Sequence, residues 1–284
     1  MSADSYLWPH SSSECPKRAT TGCQHPELGA GYWSWEFPAA GPDRTVRRWA
    51  KYNRSWDLEE LGSRKVNLTE AADIQQAERY EAWFSSPFGR RADRVEKRMI
   101  RGLLADFSES RSLLEVGCGT GHFTEWFASR GLWAVGLDRL PSMLTFAQGR
   151  RPDLPFVLAD ATRLPFGDAT FDVVALVTVL EFLDAPEPAL REACRVARYG
   201  LILGVLNRLS PVALWRKLRR AAAYRSARFF SPGQLERLLR ISLGYRSINI
   251  RWQTGLYPTH WLDQCTSLPF GAFAGLSVRF EEGG

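Results

Sequence analysis

The stretch Leu113-Leu114-Glu115-Val116-Gly117-Cys118-Gly119-Thr120-Gly121-His122-Phe123 decides how the rest of the chain is read. Its apolar opening has the length of a buried strand, and three glycines at alternate positions follow at once. Without a Cβ, the backbone there can turn sharply and bring bare N–H groups close to a ligand. Beyond the turn, Phe123 and Phe127 stand one helical turn apart, as on a helix packed against a sheet, and Gly131 marks its stop. The unit is strand, tight glycine turn, helix.

The glycine spacing discriminates between ligands. A dinucleotide site uses G-x-G-x-x-G, with the pyrophosphate on the helix N-terminus. Here the run is Gly117-x-Gly119-x-Gly121 behind Glu115, so that pattern fails at its third glycine and a nicotinamide oxidoreductase is disfavoured. Two further segments have the same character. Ala134-Val135-Gly136-Leu137-Asp138 is a short apolar strand ending in an acid, 17 residues beyond Gly121. In a doubly wound sheet such an acid faces the ligand crevice, where a carboxylate can accept both ribose hydroxyls. Phe156-Val157-Leu158-Ala159-Asp160-Ala161 reads as a third strand ending in an acid, and Leu164-Pro165-Phe166-Gly167-Asp168 leads on to Phe171-Asp172-Val173-Val174.

The E-x-G-x-G-x-G run resembles motif I of the class I S-adenosylmethionine-dependent methyltransferases. The string D-A-x-x-L-P-F-x-D-x-x-F-D-V-V, from Asp160 to Val174, is similar to their small-molecule branch (methyltransferase type 11, menaquinone-biosynthesis-like). The resemblance covers residues 78 to 280. It implies an α/β fold, a doubly wound, seven-stranded, mostly parallel Rossmann-like sheet, with S-adenosylmethionine as cofactor. It also implies that Glu115, Gly117, Cys118, Gly119, Gly121, Asp138, Arg139, Met143, Asp160, Ala161 and Val177 contact the cofactor, Asp160 and Ala161 at the adenine ring.

Around this core the chain reads as follows. Residues 1–42 are rich in Pro, Gly, Ser and Thr, apart from the aromatic cluster Tyr32-Trp33-Ser34-Trp35-Glu36-Phe37. Cys15, Cys23, His25 and His10 match no metal-ligand spacing, so no metal is expected. A short basic-aromatic helix is expected over Asp43–Leu61 and a second helix over Asp73–Phe84. The end of the latter, Tyr80-Glu81-Ala82-Trp83-Phe84-Ser85-Ser86-Pro87-Phe88-Gly89-Arg90, resembles the family's entry segment, which would put Tyr80 and Phe84 near the sulfonium; a core role is the alternative. Arg91–Asp106 forms an amphipathic helix with Val95, Met99, Ile100, Leu103 and Leu104 on one side.

Phe171–Val177 is nearly all apolar, as a central strand buried on both faces must be. A helix over Pro188–Ala197 and a fifth strand over Gly200–Asn207 follow. The segment Leu209–Arg228 reads as a helical insertion that, by resemblance, forms a lid at about 208–228. Ser231 and Pro232 start the last helix, and Tyr245–Trp252 and Gly271–Phe280 read as a closing antiparallel pair, with His260 and Trp261 in the loop between them. The domain division is thus an irregular extension over 1–70 and a methyltransferase domain over 71–284.

Composition and charge bound the function. The chain has 284 residues, 45% of them hydrophobic, enough for one large core. No run approaches a membrane span, and residues 1–10 carry neither a basic nor a continuous apolar region, so no secretory signal is expected. Five scattered cysteines form no disulfide framework and fit a reducing cytoplasm. Between Glu192 and Glu236 there is no acid, only Lys217 and eight arginines, which suits an anionic partner or a solvated helix face.

The family often has L-E-H after its fourth strand, whereas this chain has Leu180-Glu181-Phe182, so a histidine base is missing there. His122 and Tyr80 are the remaining candidates for a proton acceptor; a thiol or stabilised carbanion acceptor would need none. Thr178-Val179-Leu180-Glu181 stands where the family's base-amine and glutamine enzymes carry [N/D]-P-P-[Y/F], which argues against that chemistry. The sequence thus points to a cytoplasmic methyltransferase for a small acceptor, anionic or lipid-like. An RNA methyltransferase and a non-catalytic cofactor-binding scaffold are the alternatives.

Overall fold

Apolar runs too short to be helices, alternating with amphipathic segments, bury their surfaces best as a parallel sheet covered on both faces. The structure, a computed structural model, describes residues 68–211, 227–243, 247–258 and 268–281. Within them lies one seven-stranded sheet: β1 (Ser112–Val116), β2 (Trp133–Asp138), β3 (Phe156–Leu158), β4 (Phe171–Val177), β5 (Ala197–Leu206), β6 (Ile248–Gly255) and β7 (Phe273–Phe280). The order across the sheet is β3-β2-β1-β4-β5-β7-β6, with β7 antiparallel to both its neighbours and the other pairs parallel. The chain leaves β1 toward β2 on one side and returns at β4 on the other. That reversal opens a crevice at the carboxyl ends of β1 and β4, where open α/β sheets bind ligands.

The described helices are α1 (Leu68–Phe84), α2 (Pro87–Leu104), α3 (His122–Ala128), α4 (Pro141–Arg150), α5 (Pro186–Val196) and α6 (Pro232–Leu243). β4 is the centre of the core. Its Val173, Ala175 and Val177 pack with Met99, Ile100 and Leu103 of α2 and with Phe123 and Phe127 of α3, while Val174 and Leu176 pack toward α5 and α6.

Helix starts follow local chemistry. Ser86 caps α2 by accepting the Gly89 N–H at 2.9 Å, and Pro87 occupies the first turn, where a missing N–H costs nothing. α2 therefore begins four residues before the expected Arg91. Ser231 and Gln234 form a reciprocal capping box on α6: the Gln234 N–H donates to Ser231 Oγ at 3.3 Å and the Ser231 N–H to Gln234 Oε1 at 3.1 Å.

Other expected boundaries shift. α1 starts at Leu68 rather than Asp73; β3 stops at Leu158, two residues short of Asp160; α5 starts at Pro186 rather than Pro188; β5 starts at Ala197 rather than Gly200; and β6 spans Ile248–Gly255 rather than Tyr245–Trp252. The helix over 43–61, the aromatic cluster at 32–37, Cys15, Cys23, His25 and His10 lie outside the described residues. So do the body of the insertion (212–226), Tyr245, His260 and Trp261. No described helix is long and apolar enough to cross a membrane.

Candidate functional site

The glycine turn sits at the crevice, and its three glycines do different work. Gly117, Gly119 and Gly121 all have left-handed φ, of 73°, 53° and 75°. A Cβ on Gly117 would lie 2.4 Å from a Val179 methyl, and one on Gly121 would lie 2.8 Å from the Phe156 ring, so both positions are set by close packing. A Cβ on Gly119 would meet only the Tyr80 ring, at 3.7 Å. Gly119 is the open floor of the turn.

Asp138 pins this turn to the end of β2. Its Oδ2 accepts the Gly119 N–H at 2.8 Å and its Oδ1 accepts the Leu140 N–H at 2.9 Å. The Leu137 carbonyl just before it takes the N–H groups of Gly117 and Cys118, at 2.6 and 2.9 Å. Asp138 is 9% exposed, and burial raises its pKa despite those bonds. Each carboxylate oxygen still has acceptor capacity left over. Glu115 lies buried under the turn, accepts the Thr124 hydroxyl, and is pushed up to about 8 by burial.

α1 lays Tyr80 over Gly119. Burial, then the charges of Glu115, Glu96, Glu81 and Asp138, raise the phenol's pKa, so Tyr80 keeps its proton and is a donor rather than a base. His122, at the start of α3, is committed as well. Its Nε2 lies 2.7 Å from Asp93 Oδ1, its Nδ1 lies 3.7 Å from Glu81 Oε1, and Phe84 stacks on the ring at 3.8 Å between centroids. Burial pulls its pKa down, but the bonds to Asp93 and Glu81 outweigh that and the net shift is upward. An imidazole held by two carboxylates serves as a brace, and neither His122 nor Tyr80 gains support as a base.

The other expected cofactor residues spread along the same edge. Cys118 is buried, with its thiol pushed up by burial, which leaves it a poor nucleophile. Met143 is buried in the first turn of α4, Val177 is the buried last residue of β4, and Arg139 is exposed. Asp160 is exposed and turned onto its own loop: it accepts the Thr162 N–H and hydroxyl, both at 2.7 Å, and these bonds lower its pKa. Ala161 beside it is buried. The structure therefore gathers Tyr80, Glu115, the three glycines and Asp138 around one turn and leaves Asp160 and Arg139 at its solvent edge.

Two further acids of this region are buried. Glu181, on the 3-10 turn Leu180–Phe182 that leaves β4, is 1% exposed. Its Oε1 accepts the Leu206 N–H at 2.5 Å, its Oε2 has no hydrogen-bond partner among the described residues, and burial pushes it up to about 8. Glu96, on α2, is 7% exposed and is pushed up to about 7, first by burial and then by Asp93. A signal for Glu96 was available, because it falls in register with buried Ala92, Met99 and Leu103 on one helix face. Glu181 carries no such signal, because a lone acid after an apolar strand is ordinarily solvated.

Chemically, the surroundings of the glycine turn are acidic. A pyrophosphate would face Glu115, Asp138, Glu81 and Glu96, whereas a ligand carrying hydroxyl donors and a positive charge finds acceptors and favourable field there.

Comparison with known proteins agrees with this geometry. Residues 114–203 match a family model described as a methyltransferase domain. An uncharacterized protein of Methanocaldococcus jannaschii is 30% identical over 176 residues, which is 61% of this chain and 80% of that protein. Uncharacterized mycobacterial proteins, from Mycobacterium tuberculosis among others, are 35% identical over 179 residues, and the match spans only 60% of their length. A demethylmenaquinone methyltransferase of Renibacterium salmoninarum is 42% identical over 88 residues, 31% of this chain and 37% of that protein. A solved S-adenosylmethionine-dependent methyltransferase from Thermotoga maritima, described as a possible histamine N-methyltransferase, is similar with a TM-score of 0.61. It is 28% identical, and the match covers 72% of this chain and 96% of that one.

Proposed function

The chain belongs to the class I S-adenosylmethionine-dependent methyltransferases, and from that premise we propose that it transfers a methyl group to a small-molecule acceptor. The observation that carries the reading is the open Gly119 floor, roofed by Tyr80 and pinned by Asp138 at the switch point of an acid-lined crevice. S-adenosylmethionine, when bound, supplies a methyl group on a cationic sulfur that leaves as a neutral thioether, by in-line displacement.

The protein's part is placement and electrostatics. Asp138 keeps acceptor capacity for the ribose hydroxyls, and the backbone of Gly117, Cys118, Gly119 and Gly121 allows close approach. Glu115 stands behind the turn, Arg139 and Met143 border it, Asp160 and Ala161 take the adenine side, and Val177 closes the end of β4. Holding two reactants in line can contribute on the order of 7–11 kcal/mol. On this reading the methyltransferase unit is residues 71–284 in a cytoplasmic setting, and residues 1–70 are an extension to it. The names of the Renibacterium and Thermotoga relatives, a demethylmenaquinone and a possible histamine enzyme, support a small acceptor.

A second reading has its own observation. Arg90, Arg94, Lys97, Arg98 and Arg101 of α2, with Arg130, line a surface groove of about 520 Å³, which favours a polyanion such as RNA. Retention on RNA that falls steeply with salt would favour that reading.

The deciding experiment is calorimetric titration with S-adenosylhomocysteine beside NAD. Micromolar binding of the former alone is expected, and binding of neither would put the scaffold reading first.

A further inference from the structure

We infer that Glu96 and Glu181 form a receiving site for a protonated amine on the methyl acceptor, and that Glu181 Oε2 takes the amine's proton. The inference rests on the methyltransferase reading and names its substrate class.

Four observations converge on it. The first is the bare oxygen: Glu181 is 1% exposed, and its Oε2 has no partner among the described residues while Oε1 is held by the Leu206 N–H. Native folds rarely bury a carboxyl oxygen without a donor, because that oxygen has given up water for nothing. The second is location. Glu181 lies on the turn out of β4, two residues after Val179, whose methyls press against Gly117 of the cofactor turn. Glu181 is therefore buried at the carboxyl end of the sheet, beside the cofactor turn.

The third observation is the second acid. Glu96 comes from α2, makes no hydrogen bond among the described residues, and is near enough for its charge to raise Glu181 further; the same charge acts on Tyr80, which roofs Gly119. The fourth is the lack of a counter-charge among the described residues. The charged groups that act on Glu96 are Asp93, His122 and Lys97, and Asp93 already holds both cations, at 2.7 and 2.8 Å. The acid acting on Glu181 is Glu96 itself.

Ligand chemistry follows from these groups. A carboxylate or phenolate acceptor would oppose ionisation of both acids in a crevice already lined by carboxyls, so an anionic acceptor, as the basic interval suggested, does not suit this site. A neutral hydroxyl could satisfy the bare oxygen but brings no charge to draw the acids into their ionised forms. An ammonium group brings three N–H donors and a positive charge, donors enough for two carboxyls.

It would also draw both groups, poised at about 7 and 8, into their ionised forms. One N–H bond of the ammonium then breaks and an O–H bond forms at Glu181 Oε2. The nitrogen keeps the electron pair, which makes it the nucleophile, while Glu96 remains as counter-charge. The proton leaves Glu181 for solvent afterwards.

The test is calorimetry on the full chain loaded with S-adenosylhomocysteine, at pH 7, in two buffers of different ionisation enthalpy. The probes are methylammonium, 2-phenylethylamine, 2-phenylethanol and 3-phenylpropionate. The amines are expected to bind and to release about one proton as the carboxyls ionise, and the alcohol and carboxylate are expected not to bind. Glu181→Gln keeps an acceptor for Leu206 and should weaken amine binding tenfold or more and abolish most of the proton release. Glu96→Gln should weaken binding less and leave part of the release.

Amines that fail to bind, an alcohol or carboxylate that binds as well, or proton release unchanged in Glu181→Gln would each overturn the inference. S-adenosylhomocysteine affinity, measured first on every variant, separates the two levels. Its absence in the wild type sinks the methyltransferase reading, whereas its presence without amine binding sinks only this inference.

Discussion

Glu81, Asp93 and Glu125 are each tied to cations, whereas Glu96 and Glu181 have none among the described residues. Glu81 receives Arg150 and the Thr120 hydroxyl, Asp93 receives Lys97 and His122, and Glu125 receives Arg150 and Arg151. Burial opposes ionisation in all three, but the hydrogen bonds and nearby cations outweigh it and their pKa values fall. For Glu96 and Glu181 nothing outweighs it, and their pKa values rise. One residue type thus carries opposite protonation a short distance apart. The paired acids staple α1, α2, α3 and α4 together and so hold Tyr80 over the glycine turn. The unpaired acids contribute nothing to that scaffold and are costly to keep, which is the mark of a site that a ligand completes.

The largest effect that would break this comparison is on stability against pH. An acid whose folded pKa is raised above its unfolded value, near 4.5, favours the folded state fully below that value and loses the advantage as pH climbs through the folded pKa. With Glu181 at about 8 and Glu96 at about 7, the wild type should lose on the order of 3 kcal/mol or more between pH 5 and pH 8.5. The double variant Glu96→Gln with Glu181→Gln should give a flatter curve in urea unfolding and be the more stable protein at pH 8.5. Parallel curves would mean that the two acids find counter-charge in the folded chain.

Next in size is Asp138→Ala. Asp138 lies between the two classes, being buried like the unpaired acids but satisfied by backbone N–H groups. Removing it frees the Gly119 and Leu140 N–H groups and deletes the expected ribose acceptor. S-adenosylhomocysteine affinity should fall about 100-fold, since hydrogen bonds to charged groups are worth ~1.5–3 kcal/mol each. Unchanged affinity by calorimetry would move the ribose elsewhere.

Smaller, and more selective, is a pair of glycine replacements. Gly117→Val drives a Cβ into Val179 and should cost folding stability of roughly 2 kcal/mol or more. Gly119→Val has room beside Tyr80, so it should pay only the left-handed backbone strain of about 1–2 kcal/mol, yet lose most ligand affinity. Thermal unfolding beside ligand titration distinguishes them. Equal behaviour at both positions would mean that Gly119 is not the ligand-facing floor.

What the sequence reveals follows the same divide. The glycine turn, the apolar run of β4 and the acid ending β2 are legible because each is a local pattern with one structural solution. Asp160 misleads because Thr162 supplies two short-range donors that pull it into a turn and end β3 at Leu158, a competition that strand periodicity does not express. The pairing of His122 depends on Asp93 and Glu81, which lie on two other helices, so its role as a brace belongs to tertiary structure. Glu96 is hidden by its own chemistry: glutamate is a good helix former and usually solvated, and only the burial of its helix face shows it to be unusual.

The smallest effect concerns that brace. His122→Gln removes a charged partner from Asp93 and Glu81 but keeps a polar side chain of similar reach, so its cost should be about 1 kcal/mol near pH 6. The sign of its pH dependence is fixed by the pairing. A histidine raised above its unfolded value, near 6.5, stabilises fully below that value and loses the effect as pH rises through its folded pKa; Glu81 and Asp93, lowered, lose theirs only in acid. Wild type and variant should therefore differ most below about pH 6.5, while the acids stay ionised, and converge as pH climbs through the folded pKa of His122 in chemical denaturation. Proton release on amine binding should be unaffected, because His122 acts on Glu96 only through space while Asp93 holds it. A change in that release would tie the two sets of acids into one network, and the division between scaffold and site would fail.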